Sequence, residues 1–229
     1  MEAPLSLRDT NVVDSIATQS FRAQATRILR SQIVSGSLKP GTLYSIGDIA
    51  QRLRVSITPV REALHDLAKD GLIEMKRNRG FMVRTPTSKE LDDIVQIRSM
   101  LEVSSVRELA NGGYTQDFGA LRELCEQTES YAEAENWEGF LDSDRDFHLS
   151  LLSALGNAKL LDIVGSLRDQ TRLLGLDSAA GTSIFRQSTK EHALILDAIG
   201  AGDADRAATL MASHLGHIKG IWSGRSESR

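Results

Sequence analysis

The stretch Val55–Ile73, VSITPVREALHDLAKDGLI, decides the fold of the N-terminal part of this chain. Its apolar residues recur at the three- and four-residue spacing that buries one face of a helix, namely Val60, Ala63, Leu64 and Leu67. Ser56 stands where it can cap the helix N-terminus, and Gly71 stands where the chain can leave the helix in a left-handed conformation. The pattern therefore predicts a sharply bounded helix over Ile57–Lys69.

The opposite face of this helix carries Ile57, Thr58, Arg61 and His65. An apolar back with a cationic, hydroxyl-bearing front suits insertion into the major groove of DNA. The same pattern is also typical of an ordinary amphipathic surface helix, which the helix alone would favour.

The preceding residues predict two further helices. Phe21, Ala25, Ile28, Leu29 and Ile33 form one helical stripe that ends at Gly36. Ser45 is placed to cap a short second helix, with Asp48 at the third helical position. Only a few residues separate this helix from the one at Ile57, and that spacing is typical of a helix-turn-helix.

Two short strands are expected after Gly71, over Leu72–Met75 and Phe81–Val83. The residues between them, 76–80, read Lys-Arg-Asn-Arg-Gly. A basic hairpin suits a wing that lies along the phosphate backbone, whereas a solvated surface hairpin is the plainer alternative.

The charge distribution favours the nucleic-acid interpretation. Residues Phe21–Pro86 hold 12 Lys or Arg against 5 Asp or Glu, although the whole chain has a net charge of −4. The remaining residues are therefore strongly acidic, and a basic block joined to an acidic one is typical of a nucleic-acid module attached to another domain.

The run from Ile46 to Val83, with VS-x-TPVREAL followed by GLI and RG-x-x-V, resembles the winged-helix domain of the GntR family of bacterial transcription regulators. The resemblance implies a homodimer on a palindromic double-stranded operator. It also implies DNA contacts by Ser56, Thr58, Arg61, Arg79 and Gly80. The chain departs from the common family pattern at Ile57, where many relatives carry arginine, and at Gly47, where a polar or basic residue is frequent.

The rest of the chain predicts an all-α domain. Helices are expected over about Thr115–Ala134, Asn136–Leu155, Ala158–Leu176, Ser183–Ala201 and Asp203–Trp222, after a first helix capped by Thr87 and Glu90 and ended by Asn-Gly-Gly at 111–113. The expected fold is thus mostly α, with a winged helix-turn-helix followed by a bundle of about six helices. The expected segments are a flexible N-terminal arm over 1–20, a DNA-binding domain over 21–86, an effector-binding and dimerisation domain over 87–223, and a tail over 224–229.

The composition of the chain limits the cellular compartment in which we expect the protein. No apolar run reaches the roughly 18–20 residues of a membrane span, and the N-terminus lacks a secretory signal pattern. Cys125 is the single cysteine, so we expect a cytoplasmic protein without membrane association, in which this residue packs in the core.

Three histidines fall on expected inward faces of separate helices. Asp144 and His148 lie one helical turn apart, and His192 and His214 keep the register of apolar stripes. A single such histidine is more often a hydrogen-bonded core residue, but three with a carboxylate indicate a divalent metal site. Zn²⁺ or Ni²⁺ is favoured, and Mn²⁺ or Fe²⁺ would also suit these ligands.

A second resemblance covers about Ser88–Trp222. The strings D-x-x-x-H at 144–148, GN at 156–157, EH at 191–192 and the late His214 resemble the FCD ligand-sensing domain of the FadR-like GntR branch. The resemblance implies metal ligation by Asp144, His148, His192 and His214. His217 departs from the face of His214 by about 300° around the helix and is expected to be a bystander. The resemblance also implies a pocket for a small carboxylate effector. The pocket candidates are Arg98, Asn157, Arg172 and Arg186. Arg98 could equally be an ion-pair partner of Glu102.

The sequence thus predicts a metal-containing, effector-responsive transcription regulator that senses a small organic acid, with repression as the expected mode. Two alternatives stay open at this point. One is a metal-dependent hydrolase or decarboxylase that carries a DNA-binding domain. The other is a direct sensor of the metal. We find no nucleophile–base pair and no phosphate-binding glycine loop in the sequence, and therefore expect no enzyme.

Overall fold

The structure is a computed structural model that describes residues 12–112, 118–172 and 183–223, leaving aside the side chains of 12–20, 137, 172, 183–187 and 218–223. Backbone contacts divide the chain into two compact units. The first holds the residues up to Arg84 apart from 34–36, and the second holds those three residues and everything from Thr85 onwards.

The first unit is a winged helix. It contains α1 (Val12–Val34), β1 (Leu43–Tyr44), α2 (Ile46–Leu53), α3 (Ile57–Lys69), β2 (Ile73–Lys76) and β3 (Gly80–Val83). The strands form an antiparallel sheet in the order β1-β3-β2, with Leu43 opposite Met82 and Met75 opposite Phe81. The fold class predicted from the sequence is confirmed.

Helix α3 has the predicted bounds. Val60, Ala63, Leu64 and Leu67 are buried on its inner face. Gly71 has φ +72° and its N–H donates to the Ala68 carbonyl, which closes the helix as expected. Ser56 occupies the N-cap position as predicted, but its side chain accepts no capping hydrogen bond.

Helix α1 begins at Val12, so residues 12–20, which the sequence analysis placed in an N-terminal arm over 1–20, are helical. No glycine or proline interrupts the chain between Val12 and Val34, and a helix can extend beyond its buried stripe when nothing breaks it. Residues 1–11 lie outside the described part of the chain. Two ion pairs connect α1 with α3 and its C-cap, Arg22 to Asp66 at 2.6 Å and Arg30 to Asp70 at 2.5 Å.

Every secondary-structure element among the described residues of the second unit is a helix. Its helices are α4 (Ser88–Arg98), α5 (Ser104–Asn111), α6 (Phe118–Glu133), α7 (Trp137–Ser153), α8 (Ala158–Arg172), α9 (Ser183–Gly200) and α10 (Ala204–Ser223). A π-helical turn, Ser99–Val103, joins α4 to α5 without a break, so the two form one long helix. The part of the bundle that the structure describes then holds about six helices, as expected. Thr87 and Glu90 form the predicted capping box at the start of α4.

The core of this unit lies where α5, α6, α7, α9 and α10 meet. Its members are fully or almost fully buried, and the largest are Leu109, Phe147, Leu151, Leu196, Met211 and Leu215. Cys125 belongs to the same core, as predicted. Burial comes first among the causes that raise the pKa of its thiol to about 12, so the sulfur stays protonated at neutral pH.

Candidate functional site

The first candidate surface lies in the winged helix. Ile57, Thr58, Arg61 and His65 are exposed on the outer face of α3, and 47% of the Ile57 surface is accessible. A cleft of about 530 Å³ lies between this face, the start of α2 and the β2–β3 turn. Its basic lining residues are Arg61, Lys76, Arg77 and Arg79. A concave surface bearing four cations has the charge that a phosphate backbone requires.

The structure places the five predicted DNA residues on this side of the unit. Ser56, Thr58, Arg61 and Arg79 are exposed, and Arg61, Arg79 and Gly80 line the cleft. Gly80 has φ +116°, and a Cβ atom built on it would lie 1.9 Å from the Tyr44 carbonyl oxygen. Because only glycine allows this close approach of β1, Gly80 shapes the wing and offers no side chain of its own.

The second candidate site is buried in the helical unit. Asp144 and His148 come from α7, His192 from α9 and His214 from α10, and one ligand atom of each lies within 4.8 Å of all the others. The three histidines are almost completely buried. The structure therefore brings together all four residues that the sequence predicted as metal ligands.

Two of these histidines are anchored through Nδ1 by carboxylates. His148 Nδ1 lies 2.7 Å from Glu102 Oε2, and His214 Nδ1 lies 3.1 Å from Glu191 Oε2. Burial raises the pKa of both carboxyls, but this is outweighed by Arg98 at Glu102 and by His214 at Glu191, so both pKa values lie below their ordinary value. An ionised carboxylate can only accept a hydrogen bond, so each Nδ1 must carry the proton and donate it.

The opposite nitrogens of the same two rings face each other. His148 Nε2 and His214 Nε2 are 3.1 Å apart. In a neutral imidazole that donates from Nδ1, Nε2 carries a lone pair. Two lone pairs at this distance repel unless a positive charge lies between them. A shared proton would supply that charge in a purely structural core, and a metal cation bound by both rings would supply it in a metal centre.

Two of the separations between donor atoms are compatible with one common ion. His192 Nε2 lies 3.4 Å from Asp144 Oδ1, and His148 Nε2 lies 4.0 Å from the same oxygen. Ligands bound at about 2.0–2.2 Å from a common Zn²⁺ ion are at most about 4.4 Å apart. Neither nitrogen of His192 has a hydrogen-bond partner, and the ring stacks on Phe147 with centroids 4.2 Å apart. A bound cation would supply the partner that this buried imidazole lacks.

Burial and the neighbouring charged groups determine which residues of the site are ionised. Asp144 Oδ2 accepts from the Arg168 guanidinium, which leaves Oδ1 towards the histidines. Burial raises the pKa of Asp144, but Arg168 and the neighbouring histidines hold it well below its ordinary value. Burial lowers the pKa of His192 to about 4 and also holds that of His148 well below its ordinary value. Neutral imidazoles and an ionised carboxylate are the forms that bind metal.

Three of the surrounding residues were not predicted as part of the site. Arg168 pairs with Asp144, Glu102 anchors His148, and Glu191 anchors His214. Arg168 could have been found, because it follows the buried Leu160 and Val164 at four-residue steps along α8. Glu102 entered the sequence analysis only as a partner of Arg98, and its bond to Arg98 Nε is indeed 2.7 Å long.

The predicted effector residues fall in different places. Arg98 is 1% exposed and lies beside the buried cluster through Glu102. The side chain of Asn157 is exposed, and its Oδ1 accepts from the Leu160 N–H, so it caps the start of α8. Its contact with an effector stays a prediction. The side chains of Arg172 and Arg186 lie outside the described residues. His217 bonds to Glu191 and is not one of the four converging residues.

Comparison with known proteins identifies both units. The profile of the FCD domain matches residues 93–217, and that of the bacterial regulatory proteins of the gntR family matches residues 21–83. The chain belongs to the GntR family. The Nta operon transcriptional regulator of Aminobacter aminovorans is 31% identical over 183 residues, which cover 80% of this chain and 85% of that protein.

Two relatives from Escherichia coli agree with this assignment. The transcriptional repressor RspR is 28% identical over 205 residues, which cover 88% of each chain. The solved structure of McbR/YncC has a TM-score of 0.80 with 26% identity, over 89% of this chain and 97% of that one. This GntR-family chain is a transcription regulator of the FCD type, and its relatives are named regulators, not enzymes. Within the described residues, no helix is long and apolar enough to span a lipid bilayer.

Proposed function

We propose that this regulator holds a divalent metal ion with Asp144, His148, His192 and His214 and uses it to sense a small organic acid. The observation that carries the proposal is the pair of Nε2 atoms of His148 and His214, 3.1 Å apart. Both rings donate from Nδ1 to carboxylates, so the two lone pairs converge on one point together with the unpartnered His192. Carboxylate–histidine pairs that leave Nε2 free are the usual support of metal-binding histidines.

The metal, when bound, supplies a fixed positive charge and open coordination positions that can hold an oxygen ligand. Two neighbouring residues hold metal ligands in position. Arg168 holds Asp144 so that one carboxylate oxygen faces the histidines, and the Phe147 ring holds His192 in place. Zn²⁺ or Ni²⁺ is the metal that we favour for three imidazoles and one carboxylate.

Buried guanidinium groups support the binding of an acid. Arg98 and Arg168 are 1% and 3% exposed. Arg168 pairs with the ligand Asp144, and Arg98 pairs with Glu102, which anchors the ligand His148. A buried cation attracts an anion strongly because little water screens it. We therefore propose a carboxylate effector, bound near the metal with help from these two arginines.

The winged helix supplies the response. We propose that Ser56, Thr58 and Arg61 contact bases or phosphates in the major groove and that Arg79 in the wing contacts the phosphate backbone of a palindromic operator. Their exposure and the basic cleft between α3 and the wing support this assignment. Two copies of the chain would present two such units to the two operator half-sites, and repression is the mode that we expect.

A thermal-shift experiment tests the sensing function. Protein purified without a histidine tag is analysed for metal, and the metal-loaded and chelator-stripped forms are each melted with a panel of metabolic carboxylates. A ligand that binds the native state raises the melting temperature. We expect about one metal ion per chain and at least one carboxylate that stabilises only the loaded form.

Two results would contradict the proposal. Stripped protein with native stability that binds no added Zn²⁺ or Ni²⁺ would make the histidine cluster part of the core. If the metal alone changed operator affinity and no carboxylate did, the protein would be a direct metal sensor.

A further inference from the structure

The two buried arginines of the helical unit have more hydrogen-bond donors than acceptors around them. Arg98 Nη2 and Arg168 Nε and Nη1 are buried, and none of them makes a hydrogen bond in the protein. Arg168 Nη1 lies 3.6 Å from Glu102 Oε2, which is an ion-pair distance but too long for a hydrogen bond. Arg98 uses Nε for Glu102, and Arg168 uses Nη2 for Asp144. A buried donor without a partner is unfavourable, so three such donors on two arginines that both contact Glu102 indicate a ligand that supplies acceptors.

The charges around these donors can be counted among the described residues. Glu102, Asp144 and Glu191 are carboxylates, and Arg98 and Arg168 are guanidiniums. Asp169 is also buried, but it is paired with Arg145 at 3.1 Å and the two cancel. Histidines that bind a metal through one nitrogen and donate from the other are neutral. The protein part of the site therefore carries one net negative charge.

A divalent ion changes this balance. With two positive charges added, the buried site has one net positive charge. An uncompensated charge in a protein interior is strongly unfavourable. A ligand with one negative charge neutralises the site, whereas a ligand with two negative charges leaves the site with one net negative charge.

We propose that the effector is a small monoanion, a monocarboxylate whose other polar groups are uncharged, and that its carboxylate accepts hydrogen bonds from Arg98 Nη2 and from Arg168. The inference rests on the proposed function, because it assumes the metal, and it adds the charge class of the ligand. Glu102 is the residue that sets this preference. It is completely buried and is shared between Arg98, His148 and Arg168, so it cancels one of the two arginine charges that a diacid would need.

Isosteric pairs of ligands test the charge preference. One pair is 2-hydroxybutanedioate and its 4-monoamide, and the other is propanedioate and its monoamide. Within each pair the size and shape are the same, but the acid carries two charges and the amide one. Each compound is titrated calorimetrically into zinc-loaded and into chelator-stripped protein, with the zinc content measured on the same samples. We expect the amide to bind the loaded protein at least about tenfold more tightly than the diacid in whichever pair binds.

A variant with one fewer negative charge in the site gives a second test of the charge preference. Glu102→Gln keeps the side-chain shape and raises the net charge of the site by one, so the preference should reverse and the diacid should bind more tightly. Glu108→Gln, an exposed carboxylate on α5, is the matched control and should keep the preference of the wild type. If Glu102→Gln does not fold, the comparison of ligands on the wild-type protein still tests the preference for a monoanion.

The failures are distinguishable. A diacid that binds wild-type protein as tightly as its amide, or more tightly, overturns the monoanion inference and leaves the sensing function intact. Zinc-loaded protein that binds neither these compounds nor any other carboxylate overturns the sensing function, and the charge inference with it.

Discussion

Replacing Glu191 with alanine should weaken metal binding while the helical unit stays folded. Glu191 Oε2 is the partner of His214 Nδ1 at 3.1 Å and of His217 Nδ1 at 3.2 Å. Without the carboxylate, the His214 ring loses the bond that fixes its tautomer and its orientation, and Nε2 no longer points reliably at the other donors. Glu191 is 6% exposed, so its removal leaves a buried space and the fold of the variant is checked alongside its metal affinity.

The size of the effect follows from the geometry. Loss of such an outer partner typically costs 10–100-fold in metal affinity, or about 1.4–2.7 kcal/mol. The Glu191 bond to His214 is longer than the 2.7 Å bond from Glu102 to His148. We therefore expect the lower half of that range, about 10–30-fold, for Glu191→Ala.

The matched control is His217→Ala. It removes the second group that shares the Glu191 carboxylate and leaves the bond to His214 in place. Its metal affinity should stay within about threefold of wild type, because His217 is not among the converging ligands. The affinities are measured by competition for Zn²⁺ between stripped protein and a chromophoric chelator, and circular dichroism confirms the fold of each variant.

Two results would refute this reasoning. Equal zinc affinity for wild type and Glu191→Ala would show that Glu191 does not position a ligand. A loss in His217→Ala as large as that in Glu191→Ala would show that His217 is itself a ligand.

Three further predictions concern the winged helix and the metal ligands. Arg61→Ala should cost roughly 1–3 kcal/mol of operator binding if Arg61 makes a bidentate base contact, and fluorescence anisotropy at fixed salt would show no change if it lies outside the interface. Gly80→Ala should destabilise the unit by at least about 1–2 kcal/mol in urea, because alanine is strained at φ +116° and its Cβ would meet the Tyr44 carbonyl oxygen, whereas Gly47→Ala, with only the Ser45 hydroxyl 3.6 Å away, should be neutral or stabilising. His192→Ala should abolish stoichiometric zinc in elemental analysis, and a full complement of zinc in this variant would exclude His192 as a ligand.

The elements with local signals could be predicted from the sequence. Helix α3 ends as predicted because Gly71 supplies the left-handed conformation next to it, and the Thr87–Glu90 capping box depends only on residues three apart. Strand β1, Leu43–Tyr44, was missed because two residues are too short to show an alternating pattern. The π-helical turn Ser99–Val103 was missed for a similar reason, since its sequence continues the helical pattern around it.

The ligand set could be predicted, but its surroundings could not. Asp144 and His148 share a helix face by spacing alone, and the other histidines keep the register of apolar stripes. Which charged residue supports each ligand depends on contacts between helices far apart in sequence, as in the pairs of Glu102 with His148 and of Arg168 with Asp144. Such contacts leave only the weak signal of a charged residue on an inward face.

The most direct test of the account is the operator affinity of wild type and of His214→Ala, measured with and without metal and with and without the monocarboxylate that gives the largest thermal shift. Binding of effector and operator must be coupled reciprocally, and typical couplings of about 1–3 kcal/mol would shift operator affinity roughly 5–150-fold. We predict this shift in metal-loaded wild type and in His217→Ala, and its loss in His214→Ala and after chelation, with the ligand-free operator affinity nearly unchanged throughout. A His214→Ala protein that responds as fully as wild type would show that the buried histidines are core residues and would contradict the account.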